Sequence, residues 1–223
     1  MFLTIPQKSV VMDMRGESSV LARLAGELLE GEGLVHSLNG TNISYTGKRV
    51  LILGAGGGAA AIAASLVSPA LQASRDAAAE IALYDPTPGR AEALAVRLAA
   101  AGPASVYAVP GNDLAGFDVV INASSLGLRL SDAMPCDVSR MSPHAALVDI
   151  LMEKPADARR TSGSRPGLPA HPGFEMMIRQ APLYLEFMGL NDAPLAVRRD
   201  SGFIRRQIYP VALLGEIELL NLK

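Results

Sequence analysis

Val50-Leu51-Ile52-Leu53-Gly54-Ala55-Gly56-Gly57-Gly58-Ala59 is an apolar run that passes through glycines and continues in alanines. These residue types, at this spacing, suit the binding of a pyrophosphate. Gly54, Gly56 and Ala59 reproduce the pattern G-x-G-x-x-G/A. The first glycine permits a tight turn, and the second lets the backbone approach the phosphates. The small third residue lets the following helix pack on the strand. Ala55, Gly57 and Gly58 complete the loop, where the helix offers free N–H groups and its positive dipole end to an anion. A glycine turn that binds nothing is the plainer alternative.

Asp85 ends the next apolar run, Leu83-Tyr84-Asp85-Pro86-Thr87. It lies where an acid accepts the ribose 2′-hydroxyl of NAD and repels the 2′-phosphate of NADP. Asp before Pro is equally a solvated turn residue. Arg90 follows closely and is suited to pairing a 2′-phosphate. NAD is the expected cofactor, with NADP kept open.

Stepping from these residues to what must hold them, short β-branched runs alternate with Ala/Leu-rich segments from Arg49 onward, the signature of βαβ units. Strands are expected at Arg49–Leu53, Glu80–Tyr84, Ala104–Val109, Phe117–Asn122 and Ala146–Ile150, with helices at Gly57–Val67 and Pro88–Ala101 between them. Their apolar, non-alternating character implies a sheet covered on both faces. Upstream, Ser18–Leu29 and Gly33–Leu38 read as two helices separated by glycine. Residues 154–173 read as a loop, followed by helices at Phe174–Met188 and Phe203–Leu222. The expected fold is α/β: a Rossmann-type doubly wound parallel sheet with a reduced, discontinuous substrate lobe. Residues 39–155 form the dinucleotide domain, 1–38 a remnant of the lobe, and 156–223 a loop and helices returning to it.

The 223 residues, 49% hydrophobic and 19% charged, exclude global disorder and support one full domain with a modest lobe. A net charge of −2 and the absence of Trp leave no basic or stacking footprint for nucleic acid. Cys136, the single cysteine, excludes an intrachain disulfide and a multi-cysteine metal site. His36, His144 and His171 are too dispersed for metal ligation, and no metal is expected. Val50–Ser74 carries no charge and is long enough for a membrane span. Gly56–Gly58 and Pro69 interrupt it, and its alanines drive insertion weakly. The N-terminus does not read as a signal peptide. A cytoplasmic protein with no membrane partner and a small-molecule substrate is the expectation.

Five strings, in order along the chain, resemble the shikimate/quinate dehydrogenase family. Gly47-Lys48-Arg49-Val50-Leu51-Ile52-Leu53-Gly54-Ala55-Gly56-Gly57 is similar to GK-x-VL-x-LGAGG. Asn122-Ala123-Ser124-Ser125-Leu126-Gly127-Leu128 resembles the N-A-T/S-x-x-G-M loop that borders the nicotinamide. Leu147-Val148-Asp149-Ile150 resembles a V-x-D strand end. Gly173-Phe174-Glu175-Met176-Met177-Ile178-Arg179-Gln180 resembles G-x-x-M-L-x-x-Q, and Leu3-Thr4-Ile5-Pro6-Gln7-Lys8 resembles N-V-T-x-P-x-K.

The resemblance implies hydride transfer between a nicotinamide cofactor and a cyclic hydroxy acid, 3-dehydroshikimate/shikimate or quinate. It makes Lys8 the group that stabilises and protonates the developing alkoxide. Thr4, Gln180 and Tyr184 become substrate contacts. Asn122, Ala123, Ser124, Gly127, Gly173, Met176 and Met177 lie on the cofactor side, although Met on a helix is also ordinary core packing. Glu30, in Glu30-Gly31-Glu32-Gly33, falls where the family has the aspartate of N-T-D-G-x-G. It is one methylene longer, and reads either as the lysine's partner carboxylate or as a surface residue ending a helix. The family's Ser-x-Ser clamp and G-A-V-N-T loop have no counterpart before Glu30. So reduced a lobe would leave apolar surface, to be covered by a second subunit in a homodimer or by further residues of the polypeptide. The alternative function is a non-catalytic dinucleotide-binding protein derived from that family.

Overall fold

The structure, a computed structural model, describes residues 20–41, 43–67, 77–127, 131–151, 170–171, 173–187, 190, 192, 197 and 201–209, with backbone alone at 20–28, 170–171, 187, 201 and 203. In chain order the elements are α1 (Val20–Gly40), β1 (Arg49–Leu53), α2 (Gly57–Val67), β2 (Glu80–Tyr84), α3 (Arg90–Leu98), β3 (Ser105–Ala108) and β4 (Val119–Asn122). A 3-10 turn at Val138–Arg140, β5 (Ala146–Asp149), β6 (Ala170–His171), α4 (Gly173–Phe187) and α5 (Ser201–Ile208) complete them.

The six strands are ordered β3-β2-β1-β4-β5-β6, and every neighbouring pair is parallel. This is the strand order of the expected doubly wound sheet. It reverses direction between β1 and β4, which opens a crevice at their C-terminal ends. β1 is central: Val50 faces Ile81 on one side and Val119 on the other.

Side chains on the strands alternate between two cores, as the strand period of two requires. Val50, Ile52, Ile81, Leu83, Val119, Ile121 and Val148 pack under the helices with Ile62, Leu66, Leu94 and Leu34. Leu51, Leu53, Ala82, Val120 and Leu147 face the other way, onto Leu114, Phe117, Cys136, Met141 and Ala145. Among the described residues, that second face is covered by irregular segments and the 3-10 turn.

β1, β2 and α2 begin and end where the sequence places them. The expected helix at 88–101 starts later, at Arg90, because its N-cap, Gly89, sits at φ 80, a left-handed conformation that no helix continues through; α3 ends at Leu98. β6 occupies the end of a segment read as loop. The C-terminal helix is described only as α5, its expected continuation beyond residue 209 lying outside the described residues.

The two helices expected upstream are one. α1 runs unbroken from Val20 to Gly40, through Gly31 and Gly33. Glycine costs about 1 kcal/mol against alanine in a helix, and reads in sequence as a break. Here both glycines are points of contact. A Cβ on Gly31 would overlap Ser65 Oγ and the Ala61 carbonyl of α2; one on Gly33 would overlap the Gln180 side chain of α4 and lie 3.0 Å from the Met176 carbonyl oxygen. Leu34, Val35 and Leu38 then join the same core as β1 and α2. Gly31→Ala is therefore expected to destabilise the protein by about 1–3 kcal/mol despite its better helix propensity. Gly57→Ala, where nothing lies within 4 Å of a new Cβ, is expected to stay within about 0.5 kcal/mol of the parent. Chemical denaturation of the two variants checks both values.

Candidate dinucleotide site

The C-terminal ends of β2, β1, β4 and β5 set Asp85, Gly54, Asn122 and Asp149 in a row along the crevice. Gly54 adopts φ +105, and a Cβ there would stand 2.8 Å from the Ala123 carbonyl oxygen. Its N–H donates to the Tyr84 carbonyl at 2.7 Å, and the Ala123 N–H donates to the Leu53 carbonyl at 2.9 Å. The fold itself demands glycine at position 54.

Gly56 and Gly57 are different. A Cβ on Gly56 would meet only Arg90 Nη2, at 3.9 Å, and one on Gly57 would meet nothing within 4 Å. Neither has the positive φ that excludes other residues. The chain's own packing does not call for glycine at either position, and the open space beside them at the start of α2 lets a phosphate group approach the backbone. Ala59, fully buried, packs the helix onto the sheet.

Asp85 is built into this loop. Its carboxylate accepts from the Ala55 N–H and the Thr87 N–H, both at 2.9 Å, and Arg90 Nη1 stands 3.8 Å away. The side chain is 7% exposed. Burial pushes its pKa up, but the bonds from Thr87 and Ala55 and the charge of Arg90 outweigh it and hold the group below the ordinary aspartate range. The turn-aspartate reading and the site reading thus describe one residue: it closes a turn on Thr87 and ties the glycine loop to β2. Arg90, half-exposed, lies beside both.

Beyond β4 the chain turns on Asn122, which is fully buried. Its Nδ2 donates to the Leu126 carbonyl and to Asp149 Oδ1, each at 3.2 Å. Its Oδ1 accepts from the Ser124 N–H at 3.2 Å and the Ser124 hydroxyl at 2.7 Å. Ser124 Oγ in turn accepts from the Leu126 N–H at 3.2 Å. Asp149 Oδ1 also takes the Leu151 N–H at 3.0 Å. Gly127 closes the loop at φ 98. Asp149 was visible in sequence only as the last residue of a V-x-D string; an acid ending a buried strand was the signal for a role.

Gly173 opens α4 hard against β5, since a Cβ there would overlap the Ile150 carbonyl. Met176 is buried in the helix-side core, the packing alternative noted for it, and Met177 is half-buried. Gln180 is buried and its Nε2 donates to the Glu30 carbonyl at 3.5 Å. Glu30 is only 5% exposed, inside α1, which corrects the surface reading: α1 continues past it instead of ending there. Tyr184 is half-buried, and burial raises its pKa. The structure thus joins Glu30 to Gln180. Thr4 and Lys8 lie outside the described residues.

One further feature escaped the sequence reading. Glu175, in the first turn of α4, is 1% exposed and is held by Arg205 Nε and Nη2 at 2.6 and 2.8 Å and by the Tyr209 hydroxyl at 2.8 Å. This fixes α5 on the helix that carries Met176 and Gln180. Cys136 is buried, and burial, then the charges of Asp149 and Asp137, push its thiol up to about 11. His144, exposed, is 4.0 Å from Asp118, and His36, exposed, is 3.7 Å from Glu32. Among the described residues no group of three or more His, Cys, Asp or Glu is placed to hold a metal ion, and no helix is long and apolar enough to cross a membrane.

No family model matches the chain. Against curated proteins, it is 32% identical over 162 residues to the NADP(+) shikimate dehydrogenase of Rubrobacter xylanophilus, a match covering 70% of this chain and 54% of that protein. The chain is similar to shikimate dehydrogenases. It spans about half the length of that relative. Among solved structures, a 5-ketofructose reductase of Gluconobacter sp. superposes with TM-score 0.57 at 27% identity, over 71% of this chain and 56% of that one. A quinate dehydrogenase from Corynebacterium glutamicum, in complex with NAD, shares the fold with TM-score 0.56 at 23% identity, over 72% and 56%.

Two outcomes follow from this geometry. Asp85→Asn removes one of the loop's charged acceptors and is expected to cost about 1–2 kcal/mol at neutral pH. Because folding depresses the Asp85 pKa, its contribution is complete above the unfolded value of about 3.9. It is lost as pH falls through the lower folded value. Unfolding midpoints of parent and variant should therefore converge as pH falls through the acid range. Cys136, protonated and buried, is expected to resist iodoacetamide at pH 8 in the folded protein and to react once denaturant is added, as mass spectrometry will register.

Proposed function

We propose that this chain is an NAD(P)-dependent oxidoreductase of the shikimate dehydrogenase type. The supporting observation is the open space at Gly56 and Gly57, set at the β1/β4 reversal between the Asp85 and Asn122 loops. The reading adds to it the kinship with curated shikimate dehydrogenases. The nicotinamide, when bound, supplies or takes the hydride exchanged with the carbinol carbon of a cyclic hydroxy acid, shikimate or quinate.

The chain's own residues have separate tasks. The N–H groups of Gly56, Gly57 and Gly58 receive the pyrophosphate at the start of α2. Ala123, Ser124 and Gly127, from the Asn122 loop, border the nicotinamide, with Met177 and Gly173 on the α4 side. Lys8 stabilises the alkoxide and carries its proton, a role it holds by resemblance alone. Glu30 orients that lysine, and Thr4, Gln180 and Tyr184 contact the substrate. The ionised Asp85 favours NAD, because a 2′-phosphate beside it would meet a like charge; Arg90 offsets part of that repulsion.

A second reading, a dinucleotide-binding protein without turnover, is favoured by one contact. Gln180 donates to the backbone of Glu30 and packs on Gly33, so both residues serve the joint between α1 and α4. Turnover separates the two readings. The full chain, mixed with shikimate or quinate and NAD or NADP in turn, should produce absorbance at 340 nm, and Lys8→Ala should slow it by about 10²–10⁴-fold. Tight NADH binding with no turnover on any pair supports the second reading and ends the first. NADH is expected to bind at least about tenfold tighter than NADPH, and Asp85→Asn to narrow that gap.

A further inference from the structure

Asn122 uses all of its side-chain hydrogen-bonding faces on described partners, and both halves of the bonding depend on which way its amide points. With Nδ2 toward Asp149 and the Leu126 carbonyl, Oδ1 faces the two donors of Ser124. Turned by 180°, the same amide would set its oxygen against an acceptor carboxylate and an acceptor carbonyl, and its NH2 against the Ser124 N–H. An ionised carboxylate can only accept, so Asp149 admits one orientation. The Leu151 N–H at 3.0 Å holds that carboxylate in turn at the end of β5.

We infer that Asp149 is a positioning residue: by fixing the amide of Asn122 it sets the shape of the Ala123–Gly127 loop at the mouth of the crevice. The loop is also the wall against which Gly54 packs, so a change in it reaches the glycine turn. The inference rests on the dinucleotide reading for its functional consequence, and on the hydrogen bonds alone for its structural one. Asp149→Ala removes the acceptor that Asn122 Nδ2 and the Leu151 N–H share. Asp149→Asn keeps an oxygen that can accept from both.

The experiment is amide hydrogen exchange resolved at single residues, with a fluorescence titration by NADH on the same full-length proteins. In Asp149→Ala, protection at the Ser124 and Leu126 N–H groups is expected to fall at least about tenfold while the N–H groups of β1 and β4 keep theirs. The Kd for NADH should rise by about tenfold. Asp149→Asn should retain Ser124 protection within about threefold of the parent. Unchanged protection in Asp149→Ala overturns the inference, as do equal effects of the Ala and Asn variants. Loss of protection throughout the sheet makes Asp149 a general stability residue and overturns it too. If the parent chain binds no NADH, the dinucleotide reading fails, and the exchange data still decide whether Asp149 orients the loop.

Discussion

β1 and β4 run parallel through the centre of the sheet and separate at their C-terminal ends, with the backbone of Gly54 passing too close to the Ala123 carbonyl for any side chain to intervene. That approach fixes the rest of the site. It turns the chain out of β1 so that α2 begins at the crevice, and it presses the glycine loop against the loop after β4. A larger residue at 54 would force the two strands apart where Leu53 and Asn122 are paired.

Around this contact the sheet edge is organised by side chains that satisfy backbone groups. Asp85 takes the N–H of Ala55, Asn122 bridges Ser124 and Leu126, and Asp149 secures Asn122 and Leu151. Loops at such an edge lose the ladder partners that strands have, and their buried polar groups must be met locally. The same acids and amides that keep the loops folded therefore set the shape of the sheet's C-terminal edge. At the other end of the site, the buried pairing of Glu175 with Arg205 and Tyr209 holds α5 against α4. The pairing is costly to break because loss of Glu175 would leave the buried Arg205 guanidinium without its carboxylate.

The parallel sheet and the glycine loop were legible because their signals are local. β1 and β2 are short apolar runs ended by Gly54 and Asp85, and the uninterrupted alanines of α2 leave only one periodic reading. The continuity of α1 was not legible. Gly31 and Gly33 carry the local mark of a helix end, and what overrides it is Ser65, Ala61 and Gln180 arriving from elements 30 to 150 residues away. Glu30 was placed at a helix end for the same reason, and its burial is a property of that tertiary joint. The part played by Asp149 was equally hidden, because a terminal acid acquires a direction only when Asn122 is known to lie on the neighbouring strand.

α1 lies against α2 through Gly31 and against α4 through Gly33, and in both places backbone meets backbone or side chain with no room for sliding. The glycine-loop helix, the Gln180 helix and the stretch from Glu30 to Gly40 are consequently locked together at two points where any added side chain would collide.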